Sequence, residues 1–310
     1  MTKKFTGILF AACMAAARTG LAADDAALKP FILGSSAPGT IAAKLPEVKT
    51  ALEREGFQIA GEYSPYKGVQ VLAVTSDALK NAAAKSEFGG YGAAERVALT
   101  EVDGALQVSY VNPLYTAQAY RMAADLADVA AALRKALGEQ EAFGSEKGLK
   151  PAKLRKYRYM IAMPSFAGHN ELEKYPSQEA ALKAVEAGLA AHKGGASLVY
   201  RVDVPGGTET VFGVGLAEGK GSDATVMKVT DKGPLKHSAH LPYELLVSGG
   251  KVYALHGKFR IALNFPDLTM GTFMKISGAP GAIEDALALA AGKGGGKDEK
   301  AERPGNGDGK

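Results

Sequence analysis

Histidine and methionine side chains in the second half of this sequence are of the types that could bind a metal. His237 and His240 lie close together in KHSAHLPYE, His256 follows, and Met270 and Met274 are spaced one helical turn apart. Imidazole and thioether groups suit copper. The set lacks the H-E-x-x-H arrangement and any Asp/Glu pattern of metal-ligand spacing. We therefore expect no cofactor and keep copper as the alternative.

A second candidate site lies in VSYVNPLY, Val108 to Tyr115. Tyr110, Asn112 and Tyr115 occur where a predicted strand meets a predicted helix, and such junctions present polar groups from a rigid scaffold. Asn-Pro is also a turn-forming pair that suits the first turn of a helix, so the same residues are typical of ordinary fold-building. We predict that these three side chains contribute to binding an unidentified small molecule.

Motifs of nucleophilic catalysis and phosphate binding are missing from the sequence. Gly34-Ser35-Ser36 lacks the second glycine of Gly-x-Ser-x-Gly and partners in a hydrolase-like order. Gly213 and Gly215 fall inside a strand pattern, where a glycine usually marks a bend or a close approach of another group to the backbone. The sequence therefore favours binding without catalysis, with an unrecognised hydrolase as the alternative.

The formal net charge of +4 comes mainly from the N-terminus. Lys3, Lys4 and Arg18 lie in the first 22 residues, which hold no acidic residue, and 34 basic against 33 acidic residues remain beyond them. A nearly neutral body gives no electrostatic footprint for nucleic acid, so we expect no nucleic-acid partner.

The N-terminus has the pattern of a cleavable export signal. A short basic region precedes an apolar run from Gly7 to Ala17, and small residues surround Ala22 and Ala23. That run is too short to span a bilayer. We predict a signal peptide over residues 1–23, no transmembrane span in the mature chain, and a location in the periplasm or outside the cell. The single cysteine, Cys13, lies in a loose lipobox context, which makes a lipoprotein the alternative.

Hydrophobic periodicity divides the remaining chain into two halves with a similar order of elements. In the first half the patterns predict a strand, a helix, two strands, a short helix, a hairpin and a single long helix: Lys29 to Ala37, Thr40 to Gly56 (beginning near Leu45), strands on either side of Ser64-Pro65, Asp77 to Ser86, a hairpin about Asp103-Gly104, and Leu114 to Leu137. In the second half they predict a strand, a helix, three strands, a hairpin and a helix: Tyr157 to Met163, Pro176 to His192, Ala196 to Val204, Thr208 to Ala217, Thr225 to Thr230, Tyr243 to Val247 with Lys251 to Phe265, and Ile283 to Ala291.

The two halves align best at their ends, where Pro113 falls on Pro266 and RIALNFPDL takes the place of VSYVNPLY. We therefore predict an α+β protein of two tandem β-α-β(4)-α domains, each an antiparallel sheet with helices packed on one face. The predicted boundaries are a first domain, a linker, a divergent second copy and a disordered tail: residues 24–138, 139–155, 156–291 and 292–310.

The residues around Asn112-Pro113 also carry a family resemblance. VSYVNPLY follows a helix ending in EREGF and a strand reading QIAGEYSPY, and Tyr110, Asn112, Pro113 and Tyr115 match a Tyr-x-Asn/Asp-Pro-x-Tyr-like strand end. In these features the chain resembles the domain of unknown function 302 family over about residues 37–122, and more distantly in the second half. The resemblance implies a β-α-β(4)-α fold that sometimes occurs in tandem, and it implies no activity.

These patterns lead to one functional expectation. The sequence predicts an exported protein that binds a small molecule in the cleft between the two copies or on an open sheet face, because domain interfaces are a usual place for such sites.

Overall fold

The computed structural model describes residues 26–207 and 209–294. The predicted signal peptide with Cys13, and nearly all of the predicted tail, lie outside the described residues. Within the described ranges, no helix combines the length and the apolar character that a membrane span requires.

Two antiparallel sheets and their helices make up the α+β fold that the sequence predicts. The first half contains six strands and five helices in the order β1 (Phe31–Pro38), α1 (Ile41–Arg54), β2 (Gln58–Tyr63), β3 (Val69–Thr75), α2 (Asp77–Ala83), β4 (Glu95–Val102), β5 (Ala105–Val111), α3 (Pro113–Ala119), α4 (Ala127–Leu137), β6 (Glu141–Phe143) and α5 (Pro151–Leu154). The second half follows with β7 (Asn170–Lys174), α6 (Gln178–Ala190), β8 (Ala196–Asp203), β9 (Glu209–Leu216), α7 (Asp223–Thr230), β10 (Tyr243–Ser248), β11 (Lys251–Ala254), α8 (Gly257–Asn264), α9 (Met270–Lys275) and α10 (Ala279–Ala290).

The two sheets share one strand order. The first sheet runs β2-β3-β4-β5-β1, with β6 added beside β1, and the second runs β8-β9-β10-β11-β7. Each half therefore builds its sheet from a first strand, a helix and four further strands, with the first strand placed beside the last of the four. This repeated topology is that of the predicted tandem β-α-β(4)-α arrangement.

Both predicted hairpins are confirmed, and the turn residues explain them. Asp103 and Gly104 join β4 to β5 with φ of 49° and 83°, and Gly249 and Gly250 join β10 to β11 with φ of 58° and 85°. Positive φ at both central residues gives a turn whose twist matches that of the flanking strands, and Asp-Gly and Gly-Gly adopt it readily.

The single helix predicted over Leu114 to Leu137 is wrong, because the chain forms α3 and α4 with a break between them. Arg121 and Leu126 have φ of 53° and 59°, which no helix accommodates. Tyr120 and Met122 are buried on either side of Arg121, so core packing fixes the break. The start of α1 also differs. It begins at Ile41, with Pro46 on an exposed face where water can satisfy the freed carbonyl.

Three strand predictions in the second half are wrong. The stretch Thr225 to Thr230 is helical as part of α7, and Tyr157 to Met163 contains no strand. The long strand predicted over Lys251 to Phe265 is divided into β11 and the buried helix α8. The α8 stretch is buried on nearly all sides, so it has no periodicity that separates strand from helix. The other two stretches, Thr225 to Thr230 and Tyr157 to Met163, are too short for periodicity to decide.

The predicted pairing of Pro113 with Pro266 is wrong for the same reason. Asn112 caps α3 directly after β5, and His256 precedes α8 after β11. In the repeated topology, Asn112-Pro113 of the first copy is therefore equivalent to His256-Gly257 of the second.

The predicted linker is partly folded into the first sheet. β6 pairs with β1 through Phe143 opposite Phe31, and Leu149 forms a bridge with Leu28.

Each copy covers the helix-free face of the other copy's sheet with a 3₁₀ turn. The turn Gly89–Gly92 lies against the second sheet, where the Glu209 carboxylate accepts the backbone N–H groups of Phe88 and Gly90 at 3.0 and 2.8 Å. The turn Ser238–His240 lies against the first sheet, where the Thr100 hydroxyl donates to Ser238 Oγ at 3.0 Å. The two open faces are therefore buried against the neighbouring copy.

The edge strands β2 and β8 approach most closely at Gly61, and this contact supplies a test of the interface. A Cβ at Gly61 would lie 1.9 Å from the backbone oxygen of Val199. We expect Gly61→Ala to lower the free energy of unfolding by about 1–3 kcal/mol, because overpacking at a backbone contact forces both strands apart. Urea unfolding measures the change.

The matched control is Gly39→Ala, whose nearest neighbour would be the Leu106 Cβ at 3.9 Å. We expect it to change stability by less than about 0.5 kcal/mol. Equal losses in the two variants would contradict the steric origin of the effect.

Candidate functional site

The three predicted ligand residues lie in the interior of the first copy. The Tyr110 hydroxyl donates to the Gly138 carbonyl at 3.0 Å, and the Tyr115 hydroxyl donates to the Leu263 carbonyl at 2.7 Å. Asn112 caps α3 by accepting the Leu114 N–H at 3.1 Å, and its amide donates to the Lys29 carbonyl at 2.9 Å. Burial raises the pKa of both tyrosines. Each side chain thus has a structural partner, and none of the three lines the cleft described below.

The histidines of the predicted copper set each have a different partner. His237 Nδ1 lies 3.0 Å from Asp231, His240 Nδ1 lies 2.9 Å from Asn264, and His256 Nδ1 lies 3.2 Å from Glu284. Met270 and Met274 are exposed on α9. Among the described residues, no group of three or more His, Cys, Asp or Glu side chains is arranged to hold a metal ion. Copper binding stays a prediction.

A cleft of about 440 Å³ lies between the two copies, and we call it the interdomain cleft. One wall comes from β6 and the residues that follow it, and the other comes from the end of α7, the segment before β10, and the α8–α9 connection. Its lining is mainly apolar, and the titratable side chains in it are Lys29, Glu141, Glu146, Lys232, His237 and Asp267.

His237 is the titratable side chain that the fold positions most firmly in this cleft. Its backbone N–H donates to Asp231 Oδ2 at 3.0 Å, and its Nδ1 lies 3.0 Å from Asp231 Oδ1. The Asp231 side chain is only 4% exposed. A carboxylate at Nδ1 holds the proton on that nitrogen, so Nε2 of the neutral ring is left as an acceptor. Among the described residues Nε2 has no hydrogen-bond partner.

Aromatic rings hold the imidazole of His237 on three sides. It stacks on Phe265 at a centroid distance of 4.8 Å and meets Phe31 and Phe143 edge-on at 5.1 and 5.5 Å. A Cβ at Gly144 would lie 3.2 Å from Nε2, and Gly144 has φ of 93°, so the close approach of the backbone needs glycine. The cleft therefore presents one oriented nitrogen among apolar surfaces.

Polar contacts close the rim of the cleft and join the two copies there. The Asp267 carboxylate, after α8, accepts the Ser145 hydroxyl at 3.3 Å and the Glu146 backbone N–H at 2.6 Å. The side chains of Lys29 and Lys232 supply positive charge to the same lining, and those of Glu141 and Glu146 supply negative charge. This arrangement can hold an apolar body inside and a polar group at its edge.

A buried ionic cluster lies in the core between the copies. Arg96 of β4 donates to Glu244 of β10 at 2.9 Å, and Arg260 Nε of α8 lies 3.1 Å from the second oxygen of Glu244. Arg260 also donates to Asn264 Oδ1 and to the His240 carbonyl. These ionic side chains are at most 2% exposed. The cluster joins the first copy to the second and lines none of the cleft.

Burial shifts the pKa of several groups around this interface. It raises the pKa of Glu95 to about 7, although Arg96 lowers it, and it raises the pKa of Asp223 to about 7, although hydrogen bonds lower it. Burial also lowers the pKa of His240, with Arg260 acting in the same direction. His240 is therefore neutral at pH 7 and serves as a hydrogen-bonding side chain of the core.

His237 could be identified as a candidate from the sequence, whereas Asp231 and the residues of the first copy that line the cleft could not. The six-residue separation of Asp231 and His237 matches no motif, so their contact depends on the turn between α7 and β10. Phe143 and Ser145 lie in the stretch predicted as a linker, about 90 residues before His237.

Comparison with known proteins adds no relative. No protein-family model matches this chain, and neither the curated proteins nor the solved structures include a significant match. The resemblance to the domain of unknown function 302 family stays a prediction.

Proposed function

We propose that the protein binds a small amphiphilic molecule in the interdomain cleft. The observation that carries this proposal is the oriented, unpartnered Nε2 of His237 in a mainly apolar cleft of about 440 Å³. Ligand sites are usually clefts of about 300–1,000 Å³ with apolar walls and a few placed polar groups, and many lie between domains.

The chemistry of the lining suggests the class of ligand. An apolar body would pack between Phe143 and Phe265, and a hydroxyl or protonated acid would donate to His237 Nε2. If the ligand is an acid that transfers its proton, Asp231 stabilises the resulting imidazolium, and Lys29 and Lys232 attract the anion in a lining that also contains Glu141 and Glu146. Weak acids and alcohols of modest size are therefore the proposed ligands.

Binding of the fluorescent amphiphile anilinonaphthalene sulfonate tests this site. Leu268→Trp should weaken dye binding at least about tenfold, because the larger side chain fills the cleft. His237→Gln should weaken binding of a medium-chain carboxylic acid about tenfold, because the acid loses a charge-assisted hydrogen bond to the imidazole. Competition by medium-chain carboxylic acids and their alcohols, followed by thermal shift, identifies better ligands.

Leu198→Trp is the matched control, because Leu198 is 52% exposed and lies outside the cleft. Its dye affinity should equal that of the parent. The proposal would be contradicted if the parent, Leu268→Trp and His237→Gln bound equally well and no competitor shifted the melting temperature.

We also propose that the chain acts after export, in the periplasm or outside the cell. The support is the basic and apolar N-terminal pattern ahead of Ala22 and Ala23. N-terminal sequencing of the mature protein tests this step, and an intact Met1 in the exported fraction would contradict cleavage. The lipoprotein, copper and hydrolase alternatives stay predictions.

A further inference from the structure

Positive charge is concentrated in one stretch that the cleft does not account for. Residues 145–163 contain four lysines, two arginines and one glutamate, a net charge of +5, whereas the whole chain has a formal net charge of +4. We call the surface formed by these six cations the basic face: Lys147, Lys150, Lys153, Arg155, Lys156 and Arg158.

The basic face is a folded surface with an open groove. α5 and its flanking turns form one side of a groove of about 1010 Å³, and Pro266 and Asp267 of the second copy contribute the other side. All six basic residues are exposed. Asp267, on the other side of the groove, is already bound by Ser145 and by the backbone of Glu146. Among the described residues, Lys147, Lys153, Lys156 and Arg158 form no ion pair, so their charge faces solvent.

An exposed apolar tip adjoins these cations. Ile161 is 98% exposed and Met160 is 50% exposed, which makes them two of the most exposed large hydrophobic side chains in the described part of the chain. The segment that carries them is tied down, since the Tyr157 hydroxyl donates to the Ala262 carbonyl and the Tyr159 hydroxyl donates to the Leu268 carbonyl, each at 2.9 Å. The tip thus follows directly after Tyr157, Arg158 and Tyr159, which line the groove.

We propose that the basic face docks to an anionic phospholipid surface. Lysine and arginine side chains near such a surface are attracted by its negative potential. Ile161 and Met160 then enter the boundary between headgroups and acyl chains, as apolar residues of interfacial segments do. The apolar tip is what favours a membrane over nucleic acid, because a phosphodiester backbone offers an exposed isoleucine no apolar surface.

This inference goes beyond the proposed ligand site and does not depend on it. The groove and the cleft share Ser145, Glu146 and Asp267, so the cleft would open beside the docked membrane.

Vesicle sedimentation with the full chain tests the docking. We expect binding to vesicles of phosphatidylglycerol mixed with phosphatidylcholine, and loss of that binding at about 0.5 M salt through screening. Each lysine near an anionic surface contributes about fivefold to partitioning, so the triple variant Lys147→Gln, Lys153→Gln, Lys156→Gln should bind about 100-fold more weakly. Ile161→Ser should bind about tenfold more weakly through loss of its apolar insertion.

Matched controls separate local effects from general ones. The triple variant Lys85→Gln, Lys183→Gln, Lys193→Gln removes the same charge from exposed positions elsewhere, and Leu198→Ser removes an exposed apolar side chain elsewhere. Both should bind as the parent does. Every variant keeps the N-terminal apolar run with Lys3, Lys4 and Arg18, so the control variants on the same vesicles report the common contribution of that stretch.

Three outcomes would overturn the proposal. One is the absence of any preference for phosphatidylglycerol vesicles at low salt. Another is equal weakening by the test and control variants. Binding of a labelled single-stranded oligonucleotide that the lysine triple variant abolishes, with vesicle binding unaffected by Ile161→Ser, would assign the face to nucleic acid and would likewise refute membrane docking.

Discussion

Replacing Glu244 by glutamine is expected to lower the free energy of unfolding by about 3–5 kcal/mol. The Glu244 carboxylate lies between the guanidinium groups of Arg96 and Arg260, and all three side chains are 1% exposed. Burial alone lowers the pKa of Arg96, but Glu244 raises it above its usual value, so this arginine remains charged. Removing the carboxylate leaves two cations in the core beside Glu95, whose pKa is raised to about 7, so that this carboxyl supplies only part of a counter-charge at neutral pH. Urea unfolding of parent and variant at neutral pH measures the loss.

The control for this change is Glu171→Gln, which breaks the exposed ion pair with Lys251 on the second sheet. Exposed pairs contribute about 0–1 kcal/mol, so its effect should be small. Replacing Arg96, Glu244 and Arg260 together by methionine should recover much of the stability, because an apolar cluster of similar volume avoids the desolvation penalty. A loss below about 1 kcal/mol for Glu244→Gln would show that water reaches the cluster.

Replacing Asp223 by asparagine is expected to stabilise the protein by about 4 kcal/mol at pH 8 and to leave it nearly unchanged near pH 4. Asp223 accepts the Tyr63 hydroxyl at 3.2 Å and the Leu216 N–H at 3.1 Å through one oxygen, and its other oxygen is buried without a partner. An asparagine keeps both bonds through its carbonyl oxygen and has no charge to bury. Unfolding free energies of parent and variant across pH 4–8 measure the difference.

The sign follows from the pKa values of the folded and unfolded chain. Burial raises the pKa of Asp223 from 3.8 to about 7, so between these values the folded state holds a proton that the unfolded state has released. The stability contributed by this proton is fully present below pH 3.8 and is lost as the pH rises through about 7. One unit of pKa corresponds to about 1.4 kcal/mol, which gives about 4 kcal/mol for the whole rise.

Glu95 titrates in the same direction, since its pKa is also raised to about 7. The parent and Asp223→Asn should therefore both lose stability as the pH rises, and the difference between them isolates Asp223. Asp77→Asn is the matched control, because the Asp77 side chain is 85% exposed. A difference between parent and Asp223→Asn that stays constant from pH 4 to pH 8 would contradict the assigned titration.

Turns and exposed helices of this fold could be predicted because their causes are local. Asp103-Gly104 and Gly249-Gly250 adopt positive φ with little strain, so a pair of residues is enough to place each hairpin. Helices α1 and α6 have one buried stripe and a polar remainder, so their period places them, although α1 begins at Ile41 and not near Leu45.

Elements buried on all sides could not be assigned in the same way. Seven of the eight residues of α8 are buried, and the exception is Lys258. No amphipathic pattern therefore separates this helix from a strand. The break after α3 depends on Tyr120 and Met122 reaching the core, which is a long-range effect.

The interdomain cleft shows the same division between local and long-range causes. The chemistry of His237 is visible in the sequence, whereas its pairing with Asp231 and its position against Phe143 arise only when two distant segments meet. Tyr110, Asn112 and Tyr115 were the most distinctive polar residues of the sequence, yet each is bound to a backbone group of the fold.

Fold class, hairpins and the repeated order of elements are already present in the local sequence, because backbone propensity and hydrophobic period act over a few residues. The identity of the buried helices, the ionic cluster between Arg96 and Glu244, and the cleft beside His237 come from packing between residues far apart in the chain. In the interface between the copies, the role of a side chain depends on the residues that it contacts, and many of those residues belong to the other copy.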